Sequence, residues 1–236
     1  MAFVAGKNAR IISGTLPWSG YCNQTDLSIT PNTTDTTVLT SSGKESIPTL
    51  NEGKLSLAGF VEVTTEDPYA AALPLATSGD VFSFAPAGFA LGNVVYVVQT
   101  NATSYPIAAS VDKAVAFKLD VITTGTLDHG QSLADLAQIG TTTTGSSYDN
   151  TAATANGGAS MLHVTQYAGI TNVIVKVQHS VDNSSWADLV THTTATTTTS
   201  ERAVVAPATT VRRYLRSVAT VSGAGTVTFQ HSFCRR

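Results

Sequence analysis

The stretch Ile47–Val63, IPTLNEGKLSLAGFVEV, decides how this chain is read. A glycine-marked turn runs into strict alternation, with Leu55, Leu57, Gly59, Val61 and Val63 on one side and Lys54, Ser56, Ala58, Phe60 and Glu62 on the other. A period of two belongs to a strand with one face buried and one face wet. Phe60 falls on the mostly polar side, where a large apolar ring packs under a helix or meets another subunit.

The same period recurs outward from this stretch. In Ala114–Ile122, Val115, Phe117, Leu119 and Val121 alternate with Ala114, Ala116, Lys118 and Asp120, and further strands are expected at Val81–Phe84 and Val94–Gln99. The opening AFVAGKNARIISG reads as a strand followed by a turn at Leu16–Gly20. Residues 26–42 are Thr-rich and interrupted by Pro31 and Asn32, which suits an extended arm or long hairpin better than a core strand. After Val63, Asp67 can cap and Pro68 can start a short helix that Pro74 limits. A second helix is predicted over Ser132–Ile139, with Ser132 and Asp135 in a capping arrangement, Leu133, Leu136 and Ala137 on one face and Gly140 beyond its end.

Thr141–Gly158, TTTTGSSYDNTAATANGG, is turn-rich and of low complexity, and is expected to link two domains. Beyond it Val173, Val175 and Val177 alternate with Ile174, Lys176 and Gln178. Strands follow at Trp186–Thr191, Arg202–Ala206, Arg212–Val221 and Thr226–Phe233, with turns at Pro207 and Gly223–Gly225. The expected fold is therefore all-β: a β-sandwich or barrel over 1–140 with one short flanking helix, a linker over 141–158, and a second β-sandwich over 159–236.

With 236 residues the chain can bury a core without staples. Charged residues make up 12%, against about 25% in ordinary soluble proteins, a composition suited to a surface committed to protein contacts. Thirteen carboxylates face four basic residues between Ile11 and Asn150, whereas six arginines follow Glu201: Arg202, Arg212, Arg213, Arg216, Arg235 and Arg236. Opposite signs at the two ends can register neighbouring copies in a repeating assembly. The basic residues are few and not interleaved with aromatics, which argues against a nucleic-acid grip. No apolar run is long enough to cross a bilayer, and the first residues lack a secretory h-region, so assembly in a cytosol is expected. Cys22 and Cys234 fit no metal spacing and read as reduced thiols, with their oxidation left open.

Chemistry is sparse. His129, His163, His179, His192 and His231 form no HxxxH or HExxH pattern, and His231 shares a strand face with Val227, Phe229 and Phe233 as a satisfied core histidine would. There is no nucleophile elbow, no phosphate-cradling loop and no dinucleotide fingerprint. Neither an enzymatic activity, a cofactor nor a metal is expected. Ser180, Asp182 and Trp186 loosely match an Asp-box hairpin, but a tight turn capped by Asp182 with Trp186 anchoring the core accounts for them.

Taken together, AFVAGKNARI, the run TTDTT closing the Asp26–Thr37 arm, GKESIPTLNEGKLSLAGF, VAFKLDVITTGTLDHGQSL, GGASMLHVTQYAGITNVIVKVQHSVDNSSWADL and VRRYLRSVATVSGAGTVTFQHSFCRR resemble major tail tube proteins of long, non-contractile-tailed bacteriophages, particularly those of actinobacteria. The resemblance spans nearly the whole chain. It implies a virion protein of the phage tail whose copies form rings that stack into a tube, with six copies per ring preferred and three possible. A tape measure protein would fill the tube, terminator and tip proteins would close it, and genomic DNA would pass through without specific binding. On this sequence it places the inter-ring arm at Asp26, Leu27, Ile29, Thr36 and Val38, contacts within the ring at Phe60, Leu133 and Leu136, and a basic contact at Arg212, Arg213 and Arg216. A virion decoration or adhesion protein, binding host glycans through aromatics near Trp186 or Tyr214, is the competing expectation.

Overall fold

The computed structural model describes residues 5–40, 42–61 and 80–236, and these are almost entirely β. The strands are β1 (Arg10–Ser13), β2 (Leu16–Pro17), β3 (Cys22–Asp35), β4 (Ser46–Phe60), β5 (Asp80–Ala85), β6 (Val94–Ser104) and β7 (Ile107–Ser110). They continue as β8 (Lys113–Ile139), β9 (Thr143–Thr144), β10 (Tyr148–Asp149), β11 (Gly158–Ser180), β12 (Trp186–Thr191), β13 (Thr199–Val205) and β14 (Tyr214–Arg235). Two short 3-10 turns, Gly6–Asn8 and Trp18–Gly20, are the only helical elements among the described residues. The short helix expected around Asp67–Pro74 lies outside the described residues.

Two compact units are drawn from interleaved parts of the chain. One takes residues 1–19, 81–98 and 127–236, the other residues 20–80 and 99–126. The boundary expected at 141–158 is not where contacts divide. β6 and β8 each supply residues to both units, so the division cuts through strands rather than through a linker. Thr141–Gly158 carries β9 and β10, which pair with β14 through Val218↔Thr144 and Tyr148↔Leu215.

The larger unit is built on the β11/β14 hairpin, paired from Gly158↔Arg235 to Ser180↔Tyr214. On the outer side of β11, β13 pairs along Gly158–Val164 and β12 along Lys176–Ser180. On the other side of β14 lies β8, and the order continues β8, β6, β5, β1, β2. Alternation accounts for the core: Val173, Val175 and Val177 are buried while Ile174, Lys176 and Gln178 are half-buried. The turn expected at Gly223–Gly225 is instead a bend inside one long strand, opposite register shifts at Ala168/Ile170 and Ile170/Asn172. Gly223 takes φ +90, and a Cβ there would lie 2.6 Å from the Thr171 hydroxyl, so the bend requires glycine.

The predicted helix at Ser132–Ile139 is the end of β8. An offset of three puts Leu133 and Leu136 on opposite faces of a strand, and they do enter different clusters, Leu133 with Val177, Leu215 and Phe233 and Leu136 with Val95, Val97 and Met161. Register shifts between Phe229/His231 and His231/Ser232 bulge the pairing here and produce a spacing that mimics a helical face. The apparent capping pair has other duties: Ser132 Oγ donates to Phe89 O at 2.6 Å, and Asp135 accepts from the Leu136 amide.

In the smaller unit β4 runs between β3 and β8, from Lys54↔Ile122 to Phe60↔Ala116 on the β8 side. The expected alternation holds, with Leu55, Leu57, Phe117, Leu119 and Val121 all buried. Each such side chain contributes about 1.5–3 kcal/mol when fully withdrawn from water. Gly59 is fixed by close approach, since a Cβ would sit 2.0 Å from the Tyr21 carbonyl oxygen.

Candidate functional site

The β3–β4 hairpin outruns its support. Between Lys54 and Phe60, β4 has β3 on one side and β8 on the other; Gly53 still donates its amide to Thr123 Oγ1 of β8, and among the described residues the strand pairs from there outward only with β3, from Ile29↔Gly53 to Asp35↔Ser46. Among the described residues β3, 14 residues long, pairs only with β4 and has no partner on its other edge. A two-stranded ribbon without a third strand or a covered face is marginal in water, and an unpaired edge is a template for another strand. The tip is nevertheless ordered by local bonds. Asp35 Oδ1 accepts from the Thr37 amide at 2.9 Å, and Thr37 Oγ1 accepts from the Glu45 amide at 2.9 Å. Hydrogen bonding to Thr37, its side chain first and its amide second, lowers the Asp35 pKa.

Apolar side chains stand out along this ribbon: Ile29 is 43% exposed, Ile47 54%, Val38 60% and Leu39 fully exposed. Of the predicted arm residues, Asp26, Ile29, Thr36 and Val38 are exposed and Leu27 is half-buried. Ile47 and Leu39 complete the apolar set, and the exposure of Ile47 follows from its place beyond the last β8 pair rather than from its own alternation. Phe60 is 49% exposed at the other end of β4, beside Tyr21, whose carbonyl accepts the Phe60 amide. Leu133 is buried and Leu136 partly buried within the larger unit, so they do not form the helical contact expected of them.

The C-terminal arginines are largely engaged within the larger unit. Arg213 forms a two-pronged pair with Asp149, Nε at 2.7 Å and Nη2 at 2.6 Å, which holds the Asp149 carboxyl near about 2. Arg216 donates twice to Gln178 Oε1 and lies 4.1 Å above the Trp186 ring. Arg212 is half-buried, its amide donating to His179 Nδ1. Arg202 and Arg236 both reach Asp128, which is 3% exposed. Arg235 donates to the Ala152, Val211 and Arg212 carbonyls. One stacking face of Trp186 is thus occupied by a guanidinium. Asp182 caps its turn as expected, accepting from the Ser184 and Ser185 amides, which holds its carboxyl far below the usual range.

Cys22 and Cys234 are free thiols, and burial pushes Cys22 up to about 12. Among the described residues no three His, Cys, Asp or Glu side chains are grouped to hold a metal, and no helix is long and apolar enough to cross a membrane.

No family model matches the chain. No curated protein matches it. Among solved structures it is similar to a chain of the virion of a native gene transfer agent particle, at 19% identity and TM-score 0.43, covering 53% of this chain and 97% of that one. It is similar to a chain from the tail of an empty gene transfer agent particle with C6 symmetry, at 20% identity and TM-score 0.42 over the same shares. It is also similar to the SPP1 Dit protein, described as a paradigm of hub adsorption apparatus in phages infecting Gram-positive bacteria, at 10% identity and TM-score 0.37, covering 95% of this chain and 99% of that one.

Proposed function

We propose that this chain is a structural subunit of a bacteriophage tail, polymerising into stacked rings that form the tail tube through which DNA leaves. The observation that carries the reading is the β3–β4 ribbon: exposed Ile29, Val38, Leu39 and Ile47 on a hairpin whose 14-residue β3 has, among the described residues, no partner but β4 and whose outer half has no third strand. Such an element gains stability when another copy supplies the missing strand and covers the apolar side chains. The resemblance of the sequence to tail tube proteins agrees with it. Six copies per ring is the preferred count, with the tape measure protein inside and terminator and tip proteins at the ends. The acidic excess of the first half suits a conduit that repels phosphate.

The test is negative-stain microscopy of concentrated protein beside a variant in which Asp35–Ser46 is replaced by a two-residue Asn-Gly turn. Rings or tubes are expected of the native chain, and folded single particles of the variant. A native chain that stays monomeric at high concentration, or a variant that still forms normal tubes, overturns the reading.

A further inference from the structure

Five side chains from three strands and a connecting segment of the larger unit form one chain of contacts. Ser217 Oγ lies 2.7 Å from His231 Nδ1, and His231 Nε2 lies 2.9 Å from Ser160 Oγ. Ser160 Oγ lies 2.8 Å from His192 Nε2, and His192 Nδ1 is 3.5 Å from Glu201 Oε1. The last is an ionic contact, and His192 Nδ1 has no hydrogen-bond partner. Ser160, His192, Ser217 and His231 are all buried, and Glu201 alone reaches water, its side chain 28% exposed. The order of serine, histidine and carboxylate is that of a hydrolytic triad, but Ser160 has no exposed surface on which to meet a substrate.

While Glu201 is ionised one arrangement of protons uses the short contacts of the chain and leaves aside the 3.4 Å contact from Ser160 Oγ to Ser232 O. A carboxylate can only accept, so His192 carries its proton on Nδ1, facing Glu201, and its Nε2 accepts from the Ser160 hydroxyl. Ser160 Oγ then accepts from His231 Nε2–H, and His231 Nδ1 accepts from the Ser217 hydroxyl. In this arrangement both imidazoles are neutral. A proton added to His192 Nε2 crowds two N–H groups, 3.3 Å apart, onto Ser160 Oγ and turns the Ser160 proton from its 2.8 Å contact to the 3.4 Å contact with Ser232 O. Burial holds both imidazoles below their ordinary range, and Glu201 partly offsets this for His192, which makes His192 the point where a proton enters. Among the described residues the neighbouring charged side chains are turned elsewhere. Arg202 turns to Asp128 and Arg216 to Gln178 and Trp186, while on β12 Asp188 is taken by Lys176 and Gln178.

His192 begins the segment joining β12 to β13. Its amide donates to Val175 O at 3.0 Å, Thr193 N donates to Glu201 Oε2 at 2.8 Å, and Ala195 exchanges both backbone bonds with Val173 at 2.9 Å. The residues between are exposed threonines. We propose that the Ser217–His231–Ser160–His192–Glu201 chain is an acid-released latch, holding residues 192–198, the segment between β12 and β13, against β11 while both imidazoles are neutral and freeing them on proton uptake. His192 leaves with the segment, whereas the β11/β14 hairpin stays paired.

Amide hydrogen exchange on the full chain, corrected for intrinsic exchange and followed from pH 7.5 to 4.5, tests this. Protection at His192, Thr193 and Ala195, and at Val173, whose amide donates to Ala195 O, falls about tenfold per pH unit below about 6.5, as uptake of one proton requires, while the amides bonded between β11 and β14 keep theirs. In His192→Gln the pH dependence at Thr193 and Ala195 disappears, and in His163→Gln it persists. Protection independent of pH, an unchanged slope in His192→Gln, or simultaneous loss across β11 and β14 overturns the proposal. Imidazole nitrogen NMR of the native chain at pH 7.5 supplies a measurement that needs no variant. His192 protonated on Nδ1 and His231 on Nε2 agree with the latch, and the opposite tautomers refute it.

Discussion

Arg236 Nη2 lies 2.9 Å from Asp128 Oδ1, a contact between residues 108 positions apart, and Arg202 takes the other carboxylate oxygen. Asp128 is buried, so its charge is tolerated because two guanidinium groups surround it. Asp128→Ala leaves both arginines without their partner and is expected to cost about 3 kcal/mol, whereas Arg236→Ala, which spares Arg202, costs about 1 kcal/mol. Urea midpoints of the two variants check the ranking. Equal stability of Asp128→Ala and the native chain would show that the cluster holds nothing together.

His163 gives the fold a second acid sensitivity. Its Nδ1–H donates to Gly14 O at 2.7 Å and its Nε2 accepts from Ser83 Oγ at 2.8 Å, and burial lowers its pKa to about 4. Because the folded value lies below the unfolded value of about 6.5, the unfolded chain takes up the proton first as pH falls. Stability is full above about 6.5 and declines by about 1.4 kcal/mol per pH unit down to about 4 from this residue alone. His163→Gln should reduce the slope of stability against pH by one proton in that window, as chemical denaturation at stepped pH would show.

Gly59 is expected to tolerate no side chain. The Tyr21 carbonyl sits where a Cβ would go; it accepts the Phe60 amide and Gly59 is paired with Cys22, so neither can shift without breaking the hairpin. Gly59→Ala should lose about 2–3 kcal/mol, while Gly20→Ala, with nothing within 4 Å of its new methyl, should be nearly neutral. Thermal melts of the pair provide the comparison.

Ile29 and Ile47 separate folding from assembly. Both are exposed in the single chain, so Ile29→Asp and Ile47→Asp should change its stability by no more than about 0.5 kcal/mol. If another copy covers them, both substitutions abolish rings. Sedimentation and microscopy at matched concentration would tell. Rings that survive both charges would move the contact elsewhere.

Alternation made much of the strand content legible in sequence. Leu55 to Val61, Val115 to Val121 and Val173 to Val177 each keep a period of two, and the burial pattern follows it. The Asp182 turn was also legible, because an Asx cap is made by neighbours in sequence. Ser132–Ile139 misleads because a bulge is a property of two paired strands, and Gln230, opposite the extra residues, lies about ninety positions away in sequence. The arm was visible from its threonines and Pro31, but its exposed apolar row was not. Whether Ile47 is covered depends on how far β8 extends alongside, which no local pattern encodes.

What the sequence settled by itself is the set of short-range preferences: an all-β chain, two alternating faces, a capped turn, and a polar, Thr-rich hairpin. Tertiary structure alone decided which strands lie side by side, that the chain interleaves two units, and that Ser160, His192, Ser217 and His231 meet in one buried line. The reason is physical. Periodicity records which face of an element avoids water, whereas hydrogen-bond partners drawn from strands tens of residues apart are chosen only when backbone pairing brings those strands into register.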